Sequence, residues 1–349
     1  KAEICSAMLF RRTWYTLLTV ALGLRQETST GSTVPLEPTA GSSRHARLDS
    51  ESRDSDSEEI NRDKGNILCY LKGMAERHSI KRMKAQDMKG DGDPLRMSGG
   101  NHQVRSCAVV SNSGVLTGHR HGKRIDSADV VMRFNDAPVE HYESVVGQRE
   151  NVRFVNGFFA QNVLQGHYEA SPTLTYVLLQ KIIPERRGWW DRLLSERQDL
   201  QVYEVLDQPS LRRGASRLLH KVVNASLLVQ SGTVEKHKPT TGFMGMMVAL
   251  SMCARIDAYG LAMSSPIMSG APQIPYHYYK TVDDSTWTAS YNSVHEYFVA
   301  EKYLWRFLAS NTSMVDRLEV AALDVPAACS SPEELEHMLP AKMSFDLLA

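Results

Sequence analysis

The stretch CAVVSNSGVLTGHRHGKRIDSADVVMRFNDAP, residues 107–138, decides how the rest of the chain is read. It holds two short apolar runs, Cys107–Val110 and Val130–Phe134, each running into a polar loop. Continuous apolar runs of this length bounded by turn residues are the pattern of buried strands. In α/β sheets ligands lie at the carboxyl ends of strands, where loops meet helix N-termini. The loops SNSG (111–114) and NDAP (135–138) are therefore the first places to look for a site.

The same texture continues downstream. Residues 152–155, 174–179 and 256–261 read as further buried strands, and residues 189–197, 210–223 and 243–254 as helices. Alternating strands and helices predict an α/β fold with a mostly parallel sheet flanked by helices. Upstream the material changes. Residues 25–65 are dominated by Ser, Thr, Glu, Asp and Arg, and the run DSESRDSDSEE (49–59) has neither a helical nor a strand period. Such a segment buries too little surface to offset its ordering entropy and reads as a stem. A second break, GDGDPLRMSGGNH (90–102), leaves one short helix, 67–75, between the two, packed on the main domain. The apolar run TWYTLLTVALGL (13–24) follows Arg11 and Arg12. It is shorter than the ~20 residues of a spanning helix, but its basic flank favours a signal segment or signal anchor over an amphipathic helix. The expected division is 1–24 as tail and signal or anchor segment, 25–102 as stem and linker, and 103–349 as the folded domain.

Composition narrows the function classes. Of 349 residues, 42% are hydrophobic and 23% charged, the mix of a globular protein. Lys+Arg and Asp+Glu both number 40, which argues against a nucleic-acid partner. Five cysteines with no C-x-x-C pair argue against a zinc site or a small disulfide scaffold. The sequons Asn224-Ala225-Ser226 and Asn311-Thr312-Ser313 lean towards a lumenal location.

Taken singly, the candidate motifs are modest. Ser111, Asn112, Ser113 and Gly114 offer hydroxyls, an amide and a backbone N–H to a phosphate or sugar, although an ordinary turn has the same sequence. Gly114, Gly118 and Gly122 before Lys123 do not make a P-loop, because the spacing is wrong and Arg124 stands where Ser or Thr is needed. His119, Arg120 and His121 read as a solvated basic loop, and Trp189-Trp190 as a helix start with one Trp in the core. In PTTG (239–242), Thr240 or Thr241 caps a helix whose first turn Gly242 and Gly245 leave open to an anion. Its Met244, Met246, Met247 and Met252 read as packing residues. His277 and His295 are candidate proton carriers. Asp-x-Asp occurs only at Asp54/Asp56 and Asp91/Asp93, in the stem and linker, so no carboxylate pair is placed to hold a metal beside a pyrophosphate.

Four segments in the correct order resemble the motifs of the sialyltransferase family. Residues 107–156 resemble the large sialyl motif, 239–261 the small one, Tyr276-His277-Tyr278-Tyr279 the third, and the segment from His295 to Glu301 the very small one. RFNDAP is similar to the β-galactoside α2,6 branch, whereas His277 leans away from it. The resemblance implies a single-domain, Rossmann-like, GT-A-like transferase fold and a donor of sialic acid joined to cytidine monophosphate (CMP). It assigns Asn112 and Asn135 to the CMP portion, Ser111, Ser113 and Gly114 to the same loop, and Thr240, Thr241 and Gly242 to the donor's phosphate and sugar. His277 assists the departing phosphate, and His295 is the general base. It also pairs Cys107 with Cys253 and implies no metal and no cofactor; a second bridge between Cys69 and Cys329 is open, and nothing in the sequence fixes it. The acceptor is a terminal sugar, galactose or N-acetylgalactosamine, of a glycoprotein or glycolipid, and the location is the Golgi membrane with the catalytic domain lumenal.

One feature departs from the family pattern. Five residues separate His295 from Glu301, where the motif has four. On a continuous helix a six-residue step is ~240° of rotation, so either a bulge absorbs the extra residue or Glu296 or another group replaces Glu301. The shifted glutamate supports one alternative, a catalytically silent homologue that binds a cytidine nucleotide or a glycan; a second is a related enzyme using CMP-Kdo, a sugar acid activated as the same ester.

Overall fold

The buried apolar runs do become the strands of one sheet. A computed structural model describes residues 45–77, 80–83, 104–205, 208–226, 239–261, 275, 277–279, 298–310 and 320–339. Contacts divide the chain into two units, Lys1–Asp54 and Ser55–Ala349, and the second carries the architecture that follows. Strand β1 (Ile80–Arg82) is followed by β2 (Cys107–Val110), β3 (Val130–Phe134), β4 (Val152–Val155), β5 (Thr175–Leu178), β6 (Gln201–Val205), β7 (Arg255–Tyr259) and β8 (Val320–Asp324). Their order in the sheet is β1-β6-β5-β4-β3-β2-β7-β8. The six strands from β6 to β7 run parallel, and β1 and β8 close the edges antiparallel. This is the expected α/β fold with a mostly parallel sheet.

Both faces of the sheet are covered, as parallel sheets require. In chain order the helices are α1 (His45–Glu76), α2 (Gly122–Asp126), α3 (Glu143–Val146), α4 (Phe159–Leu164), α5 (Pro184–Glu196), α6 (Gln208–Ser226), α7 (Thr241–Met252), α8 (Phe298–Leu308) and α9 (Pro332–Met338). One face carries the largest core, where Met132, Phe134, Phe154 and Val177 meet α6, α7, α8 and the Ile67–Ala75 part of α1. The other face carries α4 and α5 around Tyr176 and Trp190, and α2 and α3 around Val110 and Val131. Strand order reverses between β2 and β7, which lie side by side although β7 is far later in the chain. Such a switch point opens a crevice at the carboxyl ends of the strands.

The expected helix at 67–75 belongs to a much longer one, and the polar run 49–59 is helical too. Its nucleus is the buried face of Ile67, Leu68, Tyr70 and Leu71. Once a turn is anchored by packing, each further residue adds a hydrogen bond at little cost, and no Pro or Gly interrupts residues 45–64. The second compact unit begins at Ser55. Strands β1, β6 and β8 lie outside the sequence reading. Strand β6 has polar residues between its buried Val202 and Val205, so it shows no continuous apolar run. Among the described residues no helix is long and apolar enough to cross a membrane, and the apolar run 13–24 lies outside them.

Two disulfides tie distant segments together. Cys107 of β2 is bonded to Cys253 at the end of α7, and Cys69 of α1 to Cys329 before α9. The first closes a separation of 146 residues, the second one of 260. Chain-entropy estimates give ~5 kcal/mol for loops of this size before strain. Cys253→Ser is accordingly expected to lower unfolding free energy in urea by several kcal/mol relative to the parent. Mass mapping should find all four cysteines oxidised in secreted protein, and a free thiol at Cys107 or Cys253 would contradict the pairing.

Candidate functional site

A cleft of about 530 Å³ lies at the carboxyl ends of β7, β2, β3, β4 and β5. Its lining brings together Ser111, Asn112, Ser113, Asn135, Thr240, Thr241, Gly242 and His277, residues that the sequence places up to 166 positions apart. Gly114 is the exception. It is buried outside the lining, and a Cβ there would overlap the Pro275 carbonyl. Its function is to let the chain at Pro275 approach, so that His277 bridges to Ser113 in antiparallel fashion. Gly245 likewise serves packing, because a Cβ would press into the rings of Phe134 and Phe154. It brings α7 against the sheet and does not open the first turn to a ligand.

The loop after β2 is internally fixed. The Ser111 hydroxyl accepts from Ser113 N (3.1 Å), and Asn112 O accepts from Tyr278 N (3.0 Å). Asn112 Oδ1 is buried with no hydrogen-bond partner among the described residues. A buried carbonyl oxygen left so costs ~1–3 kcal/mol, and a ligand hydroxyl or amine would recover it. Asn135, after β3, sits at φ 49°, the left-handed region that Asn enters more readily than most residues. Its Oδ1 accepts from Asn156 N (3.1 Å), and its backbone carbonyl accepts from buried Arg153. Arg153 is in turn paired with Glu150. The His277 ring stacks on Tyr279 with centroids 5.0 Å apart.

Thr240, not Thr241, is the N-cap of α7: its Oγ1 accepts from Phe243 N (3.0 Å). Glu301 of α8 secures that cap. Its carboxylate accepts from Thr240 N (2.7 Å) and from the Thr240 hydroxyl (2.5 Å). Glu301 is 4% exposed, and it lines the cleft beside buried Lys302. Glu301 thus lines the cleft despite the extra residue after His295. His295 and Tyr276 lie outside the described residues. Asn156, Gln180 and Lys302 also line the cleft, and sequence reasoning passed over them. Gln180 Nε2 donates to Thr241 Oγ1 (3.3 Å), joining the end of β5 to the start of α7. The only sequence signal for these residues was position: Asn156 directly follows β4, and Gln180 closely follows β5.

Comparison with known proteins adds a family. Residues 69–313 match the model of glycosyltransferase family 29 (sialyltransferase). The chain is 31% identical over 163 residues to a rat β-galactoside α-2,6-sialyltransferase 2, a match covering 45% of this chain and 31% of that one. It is 31% identical over 203 residues to a human α-N-acetyl-neuraminyl-2,3-β-galactosyl-1,3-N-acetyl-galactosaminide α-2,6-sialyltransferase, covering 54% and 63%. The matches thus span less than two thirds of these relatives. A crystal structure of a mammalian sialyltransferase aligns over 57% of this chain and 72% of its own, with a TM-score of 0.35 and 20% identity.

Burial sets the electrostatics around the α7 cap. It pushes Glu301 up to about 7 and Lys302 down to about 8. A carboxyl whose folded pKa is raised binds its proton more tightly in the folded chain. Its stabilisation is full below the unfolded value of 4.5 and is lost as pH climbs to about 7. Lys302 acts elsewhere: its contribution is present above 10.5 and is lost as pH falls to about 8. Denaturation of the parent between pH 4.5 and 7 should show a falling component on the order of 3 kcal/mol that Glu301→Gln flattens. An unchanged slope in that variant would remove Glu301 from this role.

Proposed function

The chain belongs to glycosyltransferase family 29, the sialyltransferases, and on that premise we propose that it moves sialic acid from its CMP ester to a terminal galactose or N-acetylgalactosamine of a glycoprotein or glycolipid, with inversion at the anomeric carbon. The observation that carries the reading is the convergence of Asn112, Asn135, Thr241, Gly242 and His277 on one cleft at the strand-order switch. The buried, unsatisfied Asn112 Oδ1 suits a donor hydroxyl or amine. The α2,6 linkages named for the two relatives favour the same linkage here.

The chemistry assigns a task to each group. The anomeric carbon of a CMP-linked sialic acid is tertiary and bears a carboxylate, so the phosphate leaves through an oxocarbenium-like state. The bond from carbon to phosphate oxygen breaks and its electron pair stays on the CMP phosphate. The acceptor oxygen bonds to the carbon from the opposite face, and its proton passes to His295. His277 and the N-terminus of α7, held in place by Thr240 and Glu301, offset the charge that grows on the phosphate. A single phosphate leaves, not a pyrophosphate, so these groups suffice without a divalent metal. The two disulfides agree with an oxidising lumen, and we assign the chain to the Golgi membrane through its N-terminal segment.

Release of CMP from CMP-sialic acid in the presence of a galactoside tests the reading directly. His295→Ala should cut turnover by ~10²–10⁴-fold while CMP affinity barely changes. His277→Ala should lower turnover and weaken CMP binding as well, since the phosphate is present in donor and product. Reversed binding defects, or near-normal turnover in His295→Ala, would overturn the assignment. Transfer should also persist in excess EDTA; loss restored by manganese would rule out the metal-free donor site.

A further inference from the structure

Helix α7 presents two threonine hydroxyls at its start, and the hydrogen bonds around them differ. The Thr240 hydroxyl is spent: it accepts from Phe243 N and donates to the Glu301 carboxylate. Thr241 Oγ1 accepts from Gln180 Nε2 (3.3 Å), and its own proton has no acceptor among the described residues. A hydroxyl offers one donor and two lone pairs, so the bond from Gln180 turns the Thr241 O–H away from Gln180. Both residues line the cleft, and that proton is left to be accepted there.

Gln180 is itself held one way round. Its Oε1 accepts from Gly157 N (3.5 Å), and the Gly157 carbonyl accepts from the indole N–H of buried Trp190 (3.2 Å). A backbone N–H only donates, so the amide oxygen faces Gly157 and the NH2 group faces Thr241. The neighbouring amides are spent in the same sense. Asn135 Oδ1 accepts from Asn156 N (3.1 Å) and Asn156 Oδ1 from Phe158 N (2.8 Å), which leaves both NH2 groups for the cleft. Beyond β5, Lys181, Arg186 and Arg212 share the lining with Phe158, and the Arg186 guanidinium lies 3.3 Å from the centre of that ring. Arg186 and Arg212 have no ion pair among the described residues. Gln180 thus stands between amide donors and cations, surroundings that suit an anionic oxygen.

We infer that Gln180 is a positioning residue for the donor: by filling one lone pair of Thr241 Oγ1, it makes the Thr241 hydroxyl donate to an anionic oxygen of the CMP-linked sugar acid, on its phosphate or its carboxylate. Gln180 acts through Thr241 and touches no reacting atom. The inference rests on the transferase reading above and adds to it a residue two positions beyond β5.

Calorimetry on the full chain, with CMP and with CMP-sialic acid, tests this through a double-mutant cycle. Thr241→Val should weaken donor binding by ~10–100-fold, the usual worth of a hydrogen bond to a charged group. Gln180→Leu should weaken it by roughly tenfold or less, and the double variant should bind no worse than Thr241→Val alone. Gln180→Glu keeps the size and both ties, since a carboxylate accepts from Gly157 N and from the Thr241 hydroxyl, but it reverses the second bond. Its loss should exceed that of Gln180→Leu and should shrink in the Thr241→Val background, where only the repulsion of its charge remains. A loss shared by CMP places the bond on the phosphate, and a loss confined to CMP-sialic acid places it on the carboxylate. Parent-like donor affinity in Gln180→Leu, or additive losses in the cycle, overturns the inference. Where Gln180→Leu does not fold, an equal effect of Gln180→Glu in both backgrounds overturns it instead. Failure of the transferase reading is seen separately, because the parent would then bind neither nucleotide.

Discussion

Helix α7 is anchored at both ends, and the cleft depends on that. At its start, Thr240 holds Phe243 N and is itself held by Glu301 from α8. At its end, Cys253 is bonded to Cys107, and the backbone at Val104 donates to Met252 O and accepts from Ala254 N. Between these points Gly245 lets the helix sink against Phe134 and Phe154, and residues Phe243 to Leu250 are buried. A helix so enclosed cannot shift without opening cavities, each costing kilocalories. Its first turn, with Thr241 and Gly242, is thereby held at one place in the cleft. Three chain segments that meet only in the fold (β2, α7 and α8) therefore act as one support.

The second support is ionic and lies under the loops after β3 and β4. Arg153 is buried, paired with Glu150, and donates to the carbonyls of Asn135 and Ala137. Arg133, also buried, donates to the carbonyls of Val146, Gly147 and Arg149. Buried guanidiniums are tolerated when hydrogen bonds replace the water they lose. The arrangement keeps Asn135 in its left-handed conformation and aims the loop at the cleft. Arg153 is neutralised by Glu150, whereas Arg133 is held by backbone carbonyls. Arg186 and Arg212 are left for the cleft, which is how a chain of zero net charge acquires a cationic wall.

Much of this was legible in the sequence because it is local. A strand buried on both faces shows itself as an apolar run, and five such runs were read to within about two residues of their observed ends. The loops at their carboxyl ends pointed to Asn112 and Asn135, and the resemblance to the family added Thr241 and His277; all four line the cleft. The capping residue was narrowed to two threonines, and the structure selects Thr240. What failed was also local in kind. Strand β6 hides among polar residues, and the helix through 49–59 owes its formation to packing further along.

The sequence by itself determined the alternation of strands and helices, the capped start of α7 and the family, since each is written in short-range patterns. Only the tertiary structure decided that Glu301 caps Thr240 from 61 positions away, that Gly114 and Gly245 make room for neighbours, and that three cations share one wall with Phe158. The physical reason is that these facts concern distances between segments. Periodicity reports which face of an element is buried, whereas what lies against that face is set by strand order and by the crossovers that bring remote residues together.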